Sequence, residues 1–163
     1  RYIQLFNQNN KLTYFGNRGV AGIDGSTSTA IGAAWKTKKP TLLISGDLSF
    51  HYDSNAFWNN YLSNELKVIV INNGGGGIFR IIDGSKDTAH LEQFFETAHS
   101  SKSIKGIADL YNLNYFSAAN NDELNEVLPL FFNKNNVSVL EIFTHKEDNP
   151  KALDAFFQHT QKI

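Results

Sequence analysis

The sequence predicts an α/β protein: a doubly wound, mostly parallel sheet with helices on both faces. Three observations carry that prediction. Nearly continuous apolar runs recur along the chain, as parallel strands covered on both faces require. Segments of helical period fall between them. The length of 163 residues holds one substantial core but not two.

The elements follow in chain order. Residues 12–16 (LTYFG) predict a strand, and 27–37 (TSTAIGAAWKT) a helix with Ala30, Ile31, Ala34 and Trp35 on one face. Residues 41–45 (TLLIS) predict a second strand, followed by a helix over 53–63 that gathers Phe57, Trp58, Tyr61 and Leu62. The run 67–72 (KVIVIN) predicts the next strand. Helices over 103–112, 121–133 and 149–161 then alternate with strands at 113–118 (LNYFSA) and 137–143 (VSVLEIF). The last helix opens with Asn149 as N-cap and Pro150 at its first helical position, where a missing N–H costs nothing.

Composition excludes several function classes. Net charge is −1 with Lys and Arg scattered, so the basic face of a nucleic-acid binder is not expected. No window approaches the roughly 18 apolar residues of a membrane span, and no secretory leader pattern stands at residues 1–12, so the cytoplasm is the expected compartment. Cys is absent, which removes disulfides and thiolate metal sites. The first residue is Arg1 and Met is absent throughout, so the chain is expected to be a piece of a longer protein.

Two strand ends concentrate the chemistry. TLLIS runs into GDLSF (46–50), and KVIVI runs into NNGGGG (72–77). In a parallel sheet, ligands bind outside the C-terminal ends of the strands, and one βαβ crossover would bring these two ends together. Mg²⁺ prefers oxygen ligands and usually takes one or two carboxylates with substrate phosphates. Asp47 offers a carboxylate, Asn73 an amide oxygen, and the glycine run bare carbonyls. A diphosphate would complete the shell, with N–H groups around Leu48 and Ser49 about its oxygens. Taken singly, a Gly-Asp pair is most often a turn and a glycine run most often a flexible loop; the combination is more specific.

GD, an interval of about 25 residues and NN at a strand end resemble the thiamine diphosphate motif of the decarboxylase and synthase superfamily. Leu48 stands where many members carry Gly or Ala. The stretch NRGVAGIDGSTSTAIGAA (17–34), with GDLSF, NNGGGGIF and FFETAH, is similar to the SEPHCHC synthase family of menaquinone biosynthesis. Members of that family decarboxylate 2-oxoglutarate and add the succinyl semialdehyde unit to isochorismate. The resemblance implies that residues 1–163 are the C-terminal diphosphate-binding domain, without the pyrimidine-binding and middle domains.

The resemblance also implies roles. Asp47, the Asn73 side chain and the Gly75 carbonyl are the Mg²⁺ ligands; Gly46, the Leu48 amide and Ser49 meet the diphosphate. Ile23 wedges beneath the thiamine diphosphate, while Ile78, Phe79 and Ile82 pack around it. Arg18, with Arg1 as a second arginine, holds substrate carboxylates, and Gly77 stands where other members carry Gln. The activating glutamate lies on a neighbouring subunit, so no residue here is assigned as catalytic, and a homodimer or homotetramer is implied. The alternatives are a sister enzyme of the acetolactate synthase kind or a non-catalytic nucleotide- or diphosphate-binding module. None of the five histidines has ligand spacing, and DGSKD (83–87) lacks the terminal Glu of a calcium loop. Residues 90–100 are expected to pack Leu91, Phe94, Phe95 and Ala98 on the core.

Overall fold

A computed structural model describes residues 9–17, 19, 22–99 and 102–160. Among these residues four strands form one parallel sheet: β1 (Thr41–Gly46), β2 (Leu66–Asn72), β3 (Asn114–Ala118) and β4 (Ser138–Phe143), in the order β1-β2-β4-β3. Among the described residues the α-helices are α1 (Ser26–Thr37), α2 (Asp47–Tyr52), α3 (Lys105–Leu110), α4 (Asn121–Asn133) and α5 (Asp148–Thr160). The doubly wound α/β class is therefore as the alternating runs predict.

The core explains the pattern. On β2, Leu66, Val68 and Val70 are fully buried against Ile31 and Ala34 of α1, Phe50 of α2, and Ile104 and Ala108 at α3. Burying each such large side chain contributes about 1.5–3 kcal/mol. On the α4 side, Phe131 and Leu140 are also fully buried. The start of α4 is capped by Asn120, whose side chain accepts from Glu123 N at 2.9 Å, while Glu123 accepts from Ala119 N at 2.8 Å.

Several expected elements differ. Residues 12–16 form no strand; Leu12 and Phe15 are exposed, so the apolar run is not paired with the sheet. The helix expected over 53–63 is a short 3₁₀ turn, Ser54–Trp58, that buries Phe57 but leaves Trp58 and Tyr61 outward. Trp35 is likewise outward and stacks edge-on against Tyr61 at 5.2 Å between centroids. On the edge strand β1, Leu42 and Ile44 are exposed, so that strand is covered on one face only. Helix α5 begins at Asp148, which places Asn149 and Pro150 inside its first turn rather than at the cap; helix limits defined by hydrogen bonds shift by this much.

Helix α1 opens without a side-chain cap of its own, since its N-cap is Gly25 at φ 76°. The buried Asp53 supplies the acceptor from elsewhere, taking Ser28 N at 2.7 Å. A carboxylate borrowed across 25 residues leaves no local signature in the sequence.

Candidate functional site

Register brings the two strand ends together. Gly46 is paired with Ile71, so Asp47 and the Asn72–Asn73 pair leave the sheet side by side. Asp47 begins α2, and its side chain is 2% exposed. Its Oδ2 lies 2.8 Å from His99 Nε2. One terminal atom of the Asn73 amide lies 3.2 Å from Asp47 Oδ1 and 2.7 Å from the Gly75 carbonyl oxygen. With nitrogen in that place, both contacts are hydrogen bonds. With oxygen there, three oxygens converge, an arrangement that needs a cation or a proton among them.

The chemistry of this donor set fits a hard cation. All three groups offer oxygen, in one carboxylate, one amide and one carbonyl, which is the set Mg²⁺ takes when phosphate oxygens and water complete its octahedron. Among the described residues there is no cluster of three or more His, Cys, Asp or Glu that could hold a metal. The DGSKD segment accordingly forms a 3₁₀ turn in which Asp83 pairs with Lys86 at 2.6 Å.

A second buried carboxylate shows what saturation looks like. Glu141 on β4 accepts from Asn72 Nδ2 at 2.7 Å, the Ser103 hydroxyl at 2.6 Å, the Tyr115 hydroxyl at 2.6 Å and Ile104 N at 3.1 Å. Asn72 in turn accepts from Gly74 N at 3.1 Å through its side-chain oxygen and donates to Lys102 O at 3.0 Å. The first Asn of the NN pair thus shapes the turn, and the second faces Asp47. Glu141 has a partner for every lone-pair direction that a carboxylate can use. Asp47, equally buried, has His99 on one oxygen and the Asn73 amide near the other.

The glycine run is packed, not bare. Gly76 N donates to Glu96 O at 2.7 Å, and His99 N donates to Gly74 O at 2.8 Å. Residues 96–99 therefore strap the loop, and its glycines make room for them. A Cβ on Gly75 would stand 2.9 Å from Glu96 O and 3.2 Å from Ala98 Cα, and one on Gly74 would stand 3.0 Å from His99 O. Gly74 and Gly75 also hold φ 78° and 155°, which favour glycine. A side chain at Gly77 would instead run into the Asn73 amide.

Residues 90–100 pack as expected only in part: Leu91 and Ala98 are half-buried, but the two phenylalanines stay outside. Leu91–Phe95 is a π-helical turn with Phe94 and Phe95 exposed, and the buried residue is Glu96. Its carboxylate takes Arg80 Nε at 2.7 Å and Arg80 Nη2 at 2.8 Å, a two-point pair that compensates the burial. Thr97 sits at φ 46°, an uncommon conformation for a β-branched residue.

The remaining predicted residues are placed as follows. The Ser49 hydroxyl donates to Ile23 O and stands 3.5 Å from the Ser26 hydroxyl, tying the loop before α1 to α2. Gly46, at the N-cap of α2, and Leu48 precede Ser49 there. Ile23, Ile78 and Ile82 are each more than 40% exposed, and Phe79 is half-buried, which leaves apolar surface free for a ligand. Arg1 and Arg18 lie outside the described residues. His51 Nε2 and His99 Nδ1 are buried without a hydrogen-bond partner. Burial first, and then the neighbouring His99, hold His51 below the ordinary imidazole range. Sequence spacing misses His99, Glu96 and Glu141 because each reaches the site through tertiary packing; the FFETAH segment was the available signal for the first two.

Comparison with known proteins agrees with this geometry. Residues 2–142 match the family model described as thiamine pyrophosphate enzyme, C-terminal TPP binding domain. The chain is 46% identical over 158 residues to the 2-succinyl-5-enolpyruvyl-6-hydroxy-3-cyclohexene-1-carboxylate synthase of Christiangramia forsetii, covering 96% of this chain and 27% of that protein. The synthase of Flavobacterium psychrophilum is 46% identical over 98% of this chain and 29% of its own length. That of Porphyromonas gingivalis is 43% identical over 98% and 28%. The chain thus spans less than a third of the relatives it matches. With most of its length inside the family model and its two strand ends meeting at one oxygen-rich corner, the chain belongs to the family of C-terminal TPP-binding domains of thiamine pyrophosphate enzymes.

Proposed function

We propose that the chain is the cofactor-diphosphate and Mg²⁺ domain of a SEPHCHC synthase, acting in the cytoplasm on 2-oxoglutarate and isochorismate in menaquinone biosynthesis. In this reading the pyrimidine-binding and middle domains lie elsewhere in the whole protein. A homodimer or homotetramer completes the site. The cofactor, when bound, supplies the electron sink for decarboxylation of the 2-oxo acid.

The chain's own residues bind and orient. Asp47, Asn73 and the Gly75 carbonyl hold the metal, while Gly46, Leu48 and Ser49 flank the diphosphate. Ile23, Ile78, Phe79 and Ile82 form the apolar wall against which the cofactor rests and from which water is excluded. Arg18, with Arg1, binds the substrate carboxylates, a task that suits the planar guanidinium fork.

The observation that carries this reading is the contrast between two buried carboxylates. Glu141 is saturated by neutral donors, whereas Asp47 keeps one oxygen turned toward the Asn73 amide, which itself meets the Gly75 carbonyl, a set of groups that suits a cation. The test is Mg²⁺-dependent binding of thiamine diphosphate to the full-length protein. Asp47→Ala is expected to abolish it, and wild-type affinity in that variant overturns the assignment. Turnover of isochorismate with 2-oxoglutarate, and none of pyruvate, separates this reading from an acetolactate synthase.

A further inference from the structure

Among the features left unassigned, the contact between the strap and Asp47 goes furthest. Four observations meet there. His99 places Nε2 at 2.8 Å from Asp47 Oδ2, and both side chains are almost wholly buried, at 8% and 2% exposure. The other carboxylate oxygen, Oδ1, is the one near the Asn73 amide. The same residue's backbone N–H holds Gly74 O at 2.8 Å, so His99 grips both halves of the corner. Finally, the strap that delivers it is braced by the Arg80–Glu96 pair and contains Thr97 at φ 46°. Backbone strain of that kind persists only where its surroundings over-determine it, and it concentrates at functional sites.

We propose that His99 is the positioning residue of the metal corner: by occupying Asp47 Oδ2 it fixes the carboxylate as a one-oxygen ligand and aims Oδ1 at the cation. The inference rests on the reading of Asp47 and Asn73 as metal ligands. It adds a residue from a segment outside both strand ends. Without the imidazole, the Asp47 carboxylate is free to rotate about its last bond and to turn either oxygen, or both, away from Asn73. Outer partners of metal ligands act in this way, fixing the orientation of the group that binds. A side chain that reaches the same point with an N–H should serve equally, and glutamine can.

The experiment uses the full-length protein and titrates thiamine diphosphate binding against Mg²⁺ in wild type, His99→Ala, His99→Gln and Asp47→Ala. His99→Ala is expected to raise the Mg²⁺ concentration for half-maximal binding about 10- to 100-fold. His99→Gln is expected to stay close to wild type. An unchanged Mg²⁺ requirement in His99→Ala overturns the proposal, and so does a glutamine variant as impaired as the alanine one, since a purely structural role gives no rescue. Should His99→Ala fail to fold, the glutamine variant decides alone: near-wild-type Mg²⁺ dependence supports the proposal and a large rise overturns it. Retention of Mg²⁺-dependent binding in Asp47→Ala is a separate outcome, which sinks the underlying metal assignment instead.

Discussion

Replacing Gly75 by Ala tests what the glycine run is for. The perturbation adds one methyl group at φ 155°, where it would stand 2.9 Å from Glu96 O, 3.0 Å from Glu96 Cγ and 3.2 Å from Ala98 Cα. Two of these are backbone atoms held in the strap, so neither can swing aside. The variant must therefore shift the strap, and with it the bonds Gly76 N to Glu96 O and His99 N to Gly74 O. A disfavoured backbone conformation costs about 1–3 kcal/mol, and two backbone hydrogen bonds contribute about 1 kcal/mol each. The expected loss is about 3–5 kcal/mol, a large share of the roughly 5–15 kcal/mol of a typical domain.

The assay is denaturant unfolding of the ligand-free protein, with Gly84→Ala as its control. Gly84 also has a positive φ, of 95°, but a Cβ there meets nothing within 4 Å. The control carries a disfavoured backbone conformation, at about 1–3 kcal/mol, without the strap contacts. Hydrogen exchange at the Gly76 and His99 amides should accelerate in Gly75→Ala and not in the control. Equal losses in the two variants would refute the packing argument. A Gly75→Ala chain of wild-type stability, defective only in binding thiamine diphosphate, would return the loop to the simpler role of bare backbone for a ligand.

Three further outcomes are expected. Glu141→Ala strands the Asn72 amide, two hydroxyls and Ile104 N without their acceptor, and should cost about 3 kcal/mol or more in urea unfolding; a loss below 1 kcal/mol contradicts the network. Burial, then the bond to Glu141, raises Tyr115 above its ordinary value. Its stabilisation is therefore full below about pH 10 and lost as pH rises through the raised value, so Tyr115→Phe should flatten the alkaline limb of a pH–stability curve. Arg18→Ala should lower kcat/KM for at least one dicarboxylate substrate by one to two powers of ten, with thiamine diphosphate affinity kept; cofactor loss alone would make Arg18 structural.

Much of this architecture is legible in the sequence because it is written in local period. Strands β1, β2 and β4 follow from aliphatic and β-branched runs and β3 from a short aromatic one, and the ends of β1 and β2 from Gly, Asp and Asn. The pairing of Asp47 with Asn73 follows from one crossover connection. What escapes is whatever depends on a partner distant in the chain. Asp53 caps α1 from 25 residues away, and Glu141 gathers donors from three other segments. The strap misleads for the same reason: by period alone Phe94 and Phe95 belong inside, but Arg80 makes Glu96 the residue that can be buried. Apolar residues such as Leu42, Phe15 and Trp58 stay outside although composition suits them to a core.

The Asn73 amide allows the metal assignment to be tested on stability alone. Without a cation, the favourable state has nitrogen facing Asp47 Oδ1 at 3.2 Å and Gly75 O at 2.7 Å, because oxygen in that place would repel both. A cation needs the opposite orientation, so binding should turn the amide over. Asn73→Asp removes the choice, since both of its terminal atoms are oxygen. In the metal-free protein it sets a second carboxylate about 3 Å from Asp47. At an effective dielectric near 20 the bare repulsion is on the order of 5 kcal/mol, relieved in part by uptake of a proton. The variant should therefore be destabilised by a few kcal/mol in EDTA near neutral pH. It should recover in millimolar Mg²⁺ by more than wild type gains, because the added charge strengthens the hard-oxygen site. Thermal unfolding with and without Mg²⁺ measures both. If Asn73→Asp is as stable as wild type in EDTA, the two side chains do not face each other. If it is destabilised and Mg²⁺ restores nothing, they face each other for a reason other than a metal.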